Sequence, residues 1–169
     1  MATIGVGAGS YMRPRYSCRT RSFPVDVSQT IIVGDLLVLS ADSDEGNRVK
    51  KSGADPTTDR GVVGIAAEAI TTTATHVAAT DKVLVWLAEQ GTEFVAHVCG
   101  AAFADETLDN DDISVEFGLL EDTVNHVWRV DTSETTAKLV RVLELLDTHG
   151  DTNGRVAVHF IAPERLYGD

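Results

Sequence analysis

The chain has 169 residues with a formal net charge of −12, and 43% of its residues are apolar. That length suits one domain that buries a sizeable core without disulfides. No run approaches the ~20 apolar residues of a membrane helix, and glycines interrupt the N-terminus where a signal peptide needs a continuous apolar segment. We therefore expect a soluble protein made in the cytosol, with no membrane partner and with Cys18 and Cys99 reduced.

The charge is divided unevenly along the chain. Residues 1–24 carry four arginines and no acid, whereas residues 25–169 carry 10 basic and 26 acidic residues, a balance of −16. Glycines and prolines without a sustained apolar period predict a basic extended N-terminal arm, residues 1–24, on an acidic β domain, residues 25–169. The arm can dock on an acidic surface such as a neighbouring copy, contact nucleic acid, or stay solvated. The acidic body repels phosphates, so nucleic acid is not an expected partner of the body.

From residue 31 onward, short runs rich in Val, Ile and Leu alternate with clusters of Gly, Asp, Asn, Ser and Thr. This pattern is typical of β-strands joined by turns. It predicts an all-β fold, a small β-barrel or sandwich of about nine short strands. The strands are predicted near residues 31–40, 47–51, 61–70, 82–88, 93–99, 114–120, 124–130, 138–146 and 154–162.

Two kinds of strand are distinguished by their apolar pattern. Residues 93–99 and 154–162 alternate, which predicts one buried and one polar face, with His97 and His159 on the polar faces. Residues 82–88 are apolar on both faces, which predicts a strand buried on both sides or lying in a subunit interface. The residues expected in this core or interface strand are Val83, Val85, Trp86 and Leu87.

Two turns and one ambiguous segment complete the prediction. Glu89–Thr92 and Asp151–Gly154 carry glycines suited to tight turns and predict hairpins. Residues 138–146 fit both a strand and a helix, because their leucines and valines also follow helical spacing. The strand is favoured since two valines lie in the segment and a turn-like sequence follows it.

No arrangement of residues predicts catalysis. The five histidines show no metal-ligand spacing with one another or with cysteines, and no nucleophile has a candidate base and orienting acid. Cys99 follows His97 by two residues, about 7 Å along a strand, which is too far for a hydrogen bond. The sequence therefore predicts no enzyme activity, no catalytic residue and no cofactor.

Two acidic loops and two tryptophans are the remaining candidates for a binding site. The loop at residues 42–46 resembles the start of an EF-hand, but Gly53 occupies the twelfth position, where a bidentate glutamate is required. The loop at residues 105–112 has carboxylates for a weak calcium site, although solvated acidic turns are common, and no metal site is predicted. Trp86 and Trp128 would have to share an exposed surface to bind a glycan, whereas strand tryptophans usually lie in a core or interface.

The order of the strand segments resembles the capsid decoration, or cement, proteins of tailed bacteriophage heads. The resemblance lies in GDLLVLS, then NRVKKSG, RGVVGIA and DKVLVWLAEQGTEF, and it continues through VWRVDTSETTAKLVRVLELLDTHGDTNGRVAVHF. It implies a compact β-barrel-like protein, made in the host cytoplasm, that binds the exterior of the virion capsid, commonly as a homotrimer. The implied partners are the major capsid protein and other copies of the chain, and the implied function is to bridge neighbouring capsomers.

The resemblance also implies that the N-terminal segment reaches along the shell or into a neighbouring subunit. An extended arm can add a strand to an exposed sheet edge while its arginines pair with carboxylates. The alternative function is a virion-surface or secreted β-sandwich that recognises a glycan. The residues expected to bind a partner through the arm are Tyr11, Arg13, Arg15, Tyr16, Arg19 and Arg21.

Overall fold

The structure, a computed structural model, describes Ala2 and residues 10–40, 48–53 and 61–161. The described residues confirm the all-β fold class and form more strands than the sequence predicted, because several strands are only two or three residues long. The strands are β1 (Arg13–Pro14), β2 (Thr20–Pro24), β3 (Thr30–Ile31), β4 (Leu36–Leu39), β5 (Val49–Lys51), β6 (Val62–Ala66), β7 (Ile70–Thr71), β8 (Lys82–Leu87), β9 (Phe94–Cys99), β10 (Glu116–Asp122), β11 (Val127–Asp131), β12 (Val140–Leu145) and β13 (Arg155–Phe160).

The larger sheet has the strand order β1-β9-β11-β10-β12-β13. Because β13 also pairs with β9, five of its strands close on one another, and we call this closed unit the barrel. All pairs are antiparallel except that of β9 with β11. Closure leaves these five strands without a free sheet edge along their paired lengths.

The smaller sheet has the order β2-β8-β6-β4-β5, and we call it the second sheet. Its two ends also approach each other, since Val25 forms a bridge with Val49 and the Asp26 N–H donates to the Val49 carbonyl at 2.9 Å. The short pair β3 and β7 forms a two-stranded ladder beside it. Gly64 in β6 permits the close approach of β8, because a Cβ there would lie 2.0 Å from the Trp86 carbonyl oxygen.

Two hydrophobic cores lie on opposite faces of the second sheet. The first core fills the barrel around the fully buried Trp128, and the rings of Phe94 and Phe160 meet edge to face at 5.4 Å. Leu36 and Val38 of the second sheet also belong to this core, so the two sheets share it. Val62 and Ile65 of β6 are further members from the second sheet, and six of the other members are valines of the barrel strands.

The second core lies on the other face of the second sheet and is almost entirely aliphatic. Its members are Phe23, Val25, Ile31, Leu37, Val49, Val63, Ala66, Val83, Val85 and Leu87. Successive residues of β4 point to opposite faces, so Leu37 enters the second core while its neighbours enter the first. The second sheet is therefore a middle layer with apolar contacts on both sides.

Two predicted strands are each divided in two, and those predictions were wrong. The run 31–40 becomes β3 and β4, separated by a turn in which Gly34 has a φ of +93°. A Cβ at Gly34 would lie 2.3 Å from the Cβ of Tyr11, so only glycine fits beneath the N-terminal segment. The run 61–70 likewise becomes β6 and β7, which pair in different sheets.

The turns gave one wrong prediction and one that was confirmed. Glu89–Thr92 does form a turn, with the Thr92 N–H donating to the Glu89 carbonyl at 3.0 Å. It does not close a hairpin, because β8 belongs to the second sheet and β9 to the barrel. Strands β12 and β13 do pair as a hairpin, and Asn153 in the connection has a φ of +54°. The ambiguous segment 138–146 contains β12, so the strand interpretation was confirmed.

Candidate functional site: the N-terminal segment and its contacts

The described part of the predicted arm, residues 10–24, lies against the body rather than away from it. Strand β1 pairs with β9 at the barrel, and β2 pairs with β8 in the second sheet. Met12 is fully buried in the first core, and Phe23 is 2% exposed in the second. The segment therefore crosses from one sheet to the other and is fixed in both cores, which the glycine and proline content of the segment did not predict.

Arg15 is the most connected cation of this segment. Its Nη1 lies 3.0 Å from a carboxylate oxygen of Glu93 and 2.6 Å from one of Glu144, and its backbone N–H donates to the Glu93 carbonyl at 2.9 Å. These carboxylates, Glu144 first, raise the pKa of the guanidinium. Glu144 belongs to β12, so Arg15 connects the N-terminal segment to a barrel strand distant in sequence.

The other arginines of the segment differ in their surroundings. Arg19 donates to Glu89 at 2.8 Å while its side chain stays 67% exposed, and the Arg21 guanidinium lies 5.2 Å from the centre of the Phe23 ring. Arg13 is exposed on β1, and Tyr16 is 63% exposed in the turn after it. The surface of the segment therefore presents an arginine and an aromatic ring beside the ion pairs that attach it. Tyr11, the remaining predicted contact residue, is half-buried over Gly34.

The doubly apolar strand lies in the interior. Val83, Val85 and Leu87 are 0–1% exposed in the second core, and Trp86 is half-buried against the first. The sequence left a core and a subunit interface as alternatives for β8. The chain itself buries the face that carries Val83, Val85 and Leu87, whereas the face that carries Leu84 and Trp86 is half-buried.

A buried ionic triad connects the two sheets, and the sequence did not predict it. Lys51 Nζ lies 3.1 Å from Asp35 Oδ1, next to β4, and 2.5 Å from Glu121 Oε1 on the barrel strand β10. Asp35 is 0% and Glu121 7% exposed. Burial raises the pKa of Asp35 although the Ile32 N–H donates to it. Burial alone would lower the pKa of Lys51, but the two carboxylates outweigh it and raise that pKa.

A second buried ion pair lies in the barrel wall and organises the turn between β10 and β11. Arg129 Nη2 donates to Asp122 Oδ2 at 2.6 Å, and both residues are 6% exposed. Burial raises the pKa of Asp122, but the hydrogen bonds from Asn125 and the charge of Arg129 outweigh burial and lower it. The Phe103 ring centre lies 5.5 Å from the guanidinium. No spacing in the sequence distinguishes this aspartate from the other turn acids.

The prediction of a polar face at His97 was wrong. His97 is 7% exposed, its Nδ1 lies 2.8 Å from the Asn153 carbonyl oxygen, and burial lowers its pKa. Cys18 and Cys99 are free thiols, and burial raises the pKa of Cys99 to about 12, so that thiol is protonated at neutral pH. Trp128 is fully buried and cannot stack on a sugar.

The acidic loops form no cluster suited to a cation among the residues that the structure describes. There, no three histidines, cysteines or carboxylates converge as ligands. Asp109 caps a short 3-10 turn, residues 110–112, by accepting from the Asp111 N–H at 3.0 Å, so its carboxylate has a structural partner. The loop at residues 42–46 lies outside the described residues. In the described ranges, no helix has the length and apolar content needed to cross a membrane.

No family model, no curated protein and no solved structure matches the chain significantly. The functional interpretation consequently depends on the residues themselves: a basic segment fixed across two sheets, two buried ionic groups, and an acidic surface.

Proposed function

We propose that the chain is a structural virion protein that binds the outer surface of an icosahedral phage capsid. In this role it stabilises the shell by bridging neighbouring capsomers, and its partners are the major capsid protein and further copies of itself. The observation that carries the proposal is the N-terminal segment, which adds Arg13 and Tyr16 to the surface of a body whose residues 25–169 have a balance of −16.

The attachment of the segment supports a binding role. Because Met12 and Phe23 are buried at its two ends, the exposed residues between them are held in place before any partner arrives. A surface that is ordered in advance loses little conformational entropy on binding. Arginine and tyrosine are also residue types that contribute strongly to protein interfaces.

The mechanism requires weak contacts that are repeated over a lattice. Each contact raises the effective concentration of the next, so an oligomer binds a shell far more tightly than one subunit does. A protein that binds only the assembled shell increases the free energy of disassembly by linkage. No chemical step is needed for this function.

The experiment is cosedimentation of the purified protein with shells of the encoding phage that lack it. We expect the wild-type protein to bind to saturation at a fixed ratio to the major capsid protein. The double variant Arg13→Glu/Tyr16→Ala should bind at least ~10-fold more weakly, since it reverses one charge and removes one aromatic contact at every site of a multivalent complex. Both side chains are exposed, so the variant should fold.

The matched control is Lys138→Glu, which makes the same charge change at an exposed residue far along the chain. It should bind like the wild type. Absence of saturable wild-type binding would refute the proposed function, whereas equal binding by wild type and the double variant would refute the role of the N-terminal segment alone.

A further inference from the structure

The triad of Asp35, Lys51 and Glu121 places two carboxylates and one ammonium group where the second sheet meets the barrel. With all three groups charged, one negative charge has no cation to balance it. An unbalanced charge that is removed from water destabilises the fold unless its surroundings compensate it. The composition of the triad therefore favours the uptake of one proton.

Within the triad, Asp35 is the carboxylate that its surroundings compensate least. It is 0% exposed, whereas Glu121 is 7% exposed. Lys51 Nζ lies 2.5 Å from Glu121 Oε1 but 3.1 Å from Asp35 Oδ1, and this Asp35 oxygen accepts no well-directed hydrogen bond from the described residues. Burial is the largest influence on the pKa of Asp35 and raises it. A proton that enters the triad therefore binds first at Asp35.

The backbone around Asp35 holds its carboxylate inside the fold. The Asp35 N–H donates to the Ile32 carbonyl at 3.1 Å, and the Asp35 carbonyl accepts the Ala66 N–H at 2.8 Å. The second carboxylate oxygen accepts the Ile32 N–H at 2.8 Å. Because the residue is fixed on both sides, a fall in pH changes its protonation rather than the position of its side chain.

The charges that act on Asp35 come from two strands. Lys51 of β5 lowers the pKa of Asp35, and Glu121 of β10 raises it. The adjoining strands β4 and β6 carry no charged side chain. The titratable side chain of Tyr11 packs over Gly34, the residue before Asp35. The two partners in the triad are therefore the charges that govern the protonation of Asp35.

The neighbouring charged residues of these two strands face away from the triad. Side chains alternate along a strand, so Lys50 and Asp122 point to the faces opposite Lys51 and Glu121. The Lys51 side chain is 22% exposed, which connects the triad to solvent. A proton can therefore reach the triad without unfolding of the chain.

We propose that the triad is a proton-binding junction, in which Asp35 takes up a proton in mildly acidic solution and thereby stabilises the contact between the second sheet and the barrel. Protonation leaves a neutral carboxyl group beside the paired charges of Lys51 and Glu121. It removes the unbalanced buried charge that opposes the contact. This uptake is a property of the folded chain alone and does not depend on the proposed binding to a shell.

The effect on stability follows from the direction in which the pKa of Asp35 is moved. The folded chain holds the proton more strongly than the unfolded chain, so the stabilisation is fully present below the unfolded pKa, ordinarily about 3.9. It is lost as the pH rises through the raised pKa of the folded chain. The unfolding equilibrium constant changes about tenfold for each pH unit that separates the two pKa values.

A carbon-detected NMR titration of the Asp35 carboxyl group tests the proposal, and Asp35→Asn assigns the signal. The midpoint in the wild type should lie above the ordinary value of about 3.9. Glu121→Gln removes a neighbouring negative charge and should lower the midpoint. Glu116→Gln is the matched control, because it makes the same change at the other end of β10, where Glu116 pairs with Arg141. It should leave the midpoint unchanged.

Urea denaturation of the wild type and Asp35→Asn between about pH 4 and pH 8 supplies the second measurement. Asparagine keeps an oxygen for the Ile32 N–H but cannot take up the proton. The wild type should therefore gain stability relative to this variant as the pH falls. The proposal is overturned if the Asp35 signal of the wild type titrates at or below the ordinary value, if Glu121→Gln leaves the midpoint unchanged, or if the difference in free energy of unfolding does not change with pH.

Discussion

The barrel and the second sheet bury their apolar side chains in different ways. The barrel closes around a core with large aromatic residues, Trp128 and the Phe94–Phe160 pair. The second sheet is covered on both faces, and its own core is built of Val, Leu and Ile with a single phenylalanine. Closure lets a few large rings fill a central volume, whereas the aliphatic core packs on one face of a sheet whose other face contacts the barrel core.

The border between these regions carries charge. The triad of Asp35, Lys51 and Glu121 joins the second sheet to β10, and Arg15 joins the N-terminal segment to β9's upstream neighbour Glu93 and to Glu144 of β12. Apolar contacts fill each region and also join them through the shared first core, while the ionic contacts add directional links at the border. The predictions below separate these two contributions.

The largest effect is expected at the centre of the barrel. Trp128→Ala should lower the free energy of unfolding by about 3–5 kcal/mol, because it leaves a cavity in a closed core. Val83→Ala, in the aliphatic second core, should cost about 2 kcal/mol for two buried methyl groups and their cavity. Urea denaturation measures both.

Trp128→Phe is the control for the barrel centre. It keeps most of the ring and removes an indole N–H that has no hydrogen-bond partner among the described residues. It should therefore cost much less than the alanine variant. Equal losses for Trp128→Ala and Val83→Ala would contradict the contrast between an aromatic and an aliphatic core.

A comparable effect is expected where the two regions meet. Lys51→Met leaves the carboxylates of Asp35 and Glu121 buried without their cation, and loss of one partner from a buried ionic group costs about 3–5 kcal/mol. The triple variant Lys51→Met/Asp35→Asn/Glu121→Gln removes all three charges and should recover part of that loss. Lys82→Met, at an exposed position of β8, should change stability by less than about 0.5 kcal/mol. An unchanged free energy of unfolding in Lys51→Met would show that the triad does not hold the regions together.

The smallest effect is expected at the surface attachment of the N-terminal segment. Arg15→Gln removes both ion pairs of that residue while Met12 stays buried. The segment should therefore remain folded but separate transiently from the body more often. Hydrogen exchange of the amides of residues 13–24 should become faster, and Arg13→Gln, at an exposed neighbour, should leave it unchanged. In high salt the wild type should approach the variant, because salt screens exposed ion pairs. If neither the substitution nor salt changes the hydrogen-exchange rates, the apolar contacts alone attach the segment to the body.

The local sequence pattern predicted most strands of this fold. It did not predict the features that depend on pairing between residues distant in the sequence. The alternation in residues 93–99 and the doubly apolar run at 82–88 predicted strands that the structure contains, but the polar face expected from that alternation fails at the buried His97. The turn Glu89–Thr92 was recognised, but which strands it joins depends on partners distant in the sequence. The divisions at Gly34 and between β6 and β7 depend likewise on tertiary contacts.

The candidate site was less predictable for the same reason. The arginines of residues 13–21 were found by composition, but their attachment to Glu93, Glu144 and Glu89 follows only from the folded sheets. The triad joins residues 35, 51 and 121, whose spacing carries no periodic signal. Likewise, His97 looked solvent-facing because a polar residue alternated with apolar ones, yet the chain near Asn153 covers it.

The proposed function is tested most directly by image reconstruction of the phage particle to which the proposal assigns the protein. The account predicts density on the outside of the shell, at the junctions between capsomers, into which the barrel and the second sheet fit with residues 13–21 facing the shell or a neighbouring copy. Removal of the gene should remove that density and lower the temperature at which the shells disassemble. A particle with no such density, or with the protein inside the shell, would contradict the account.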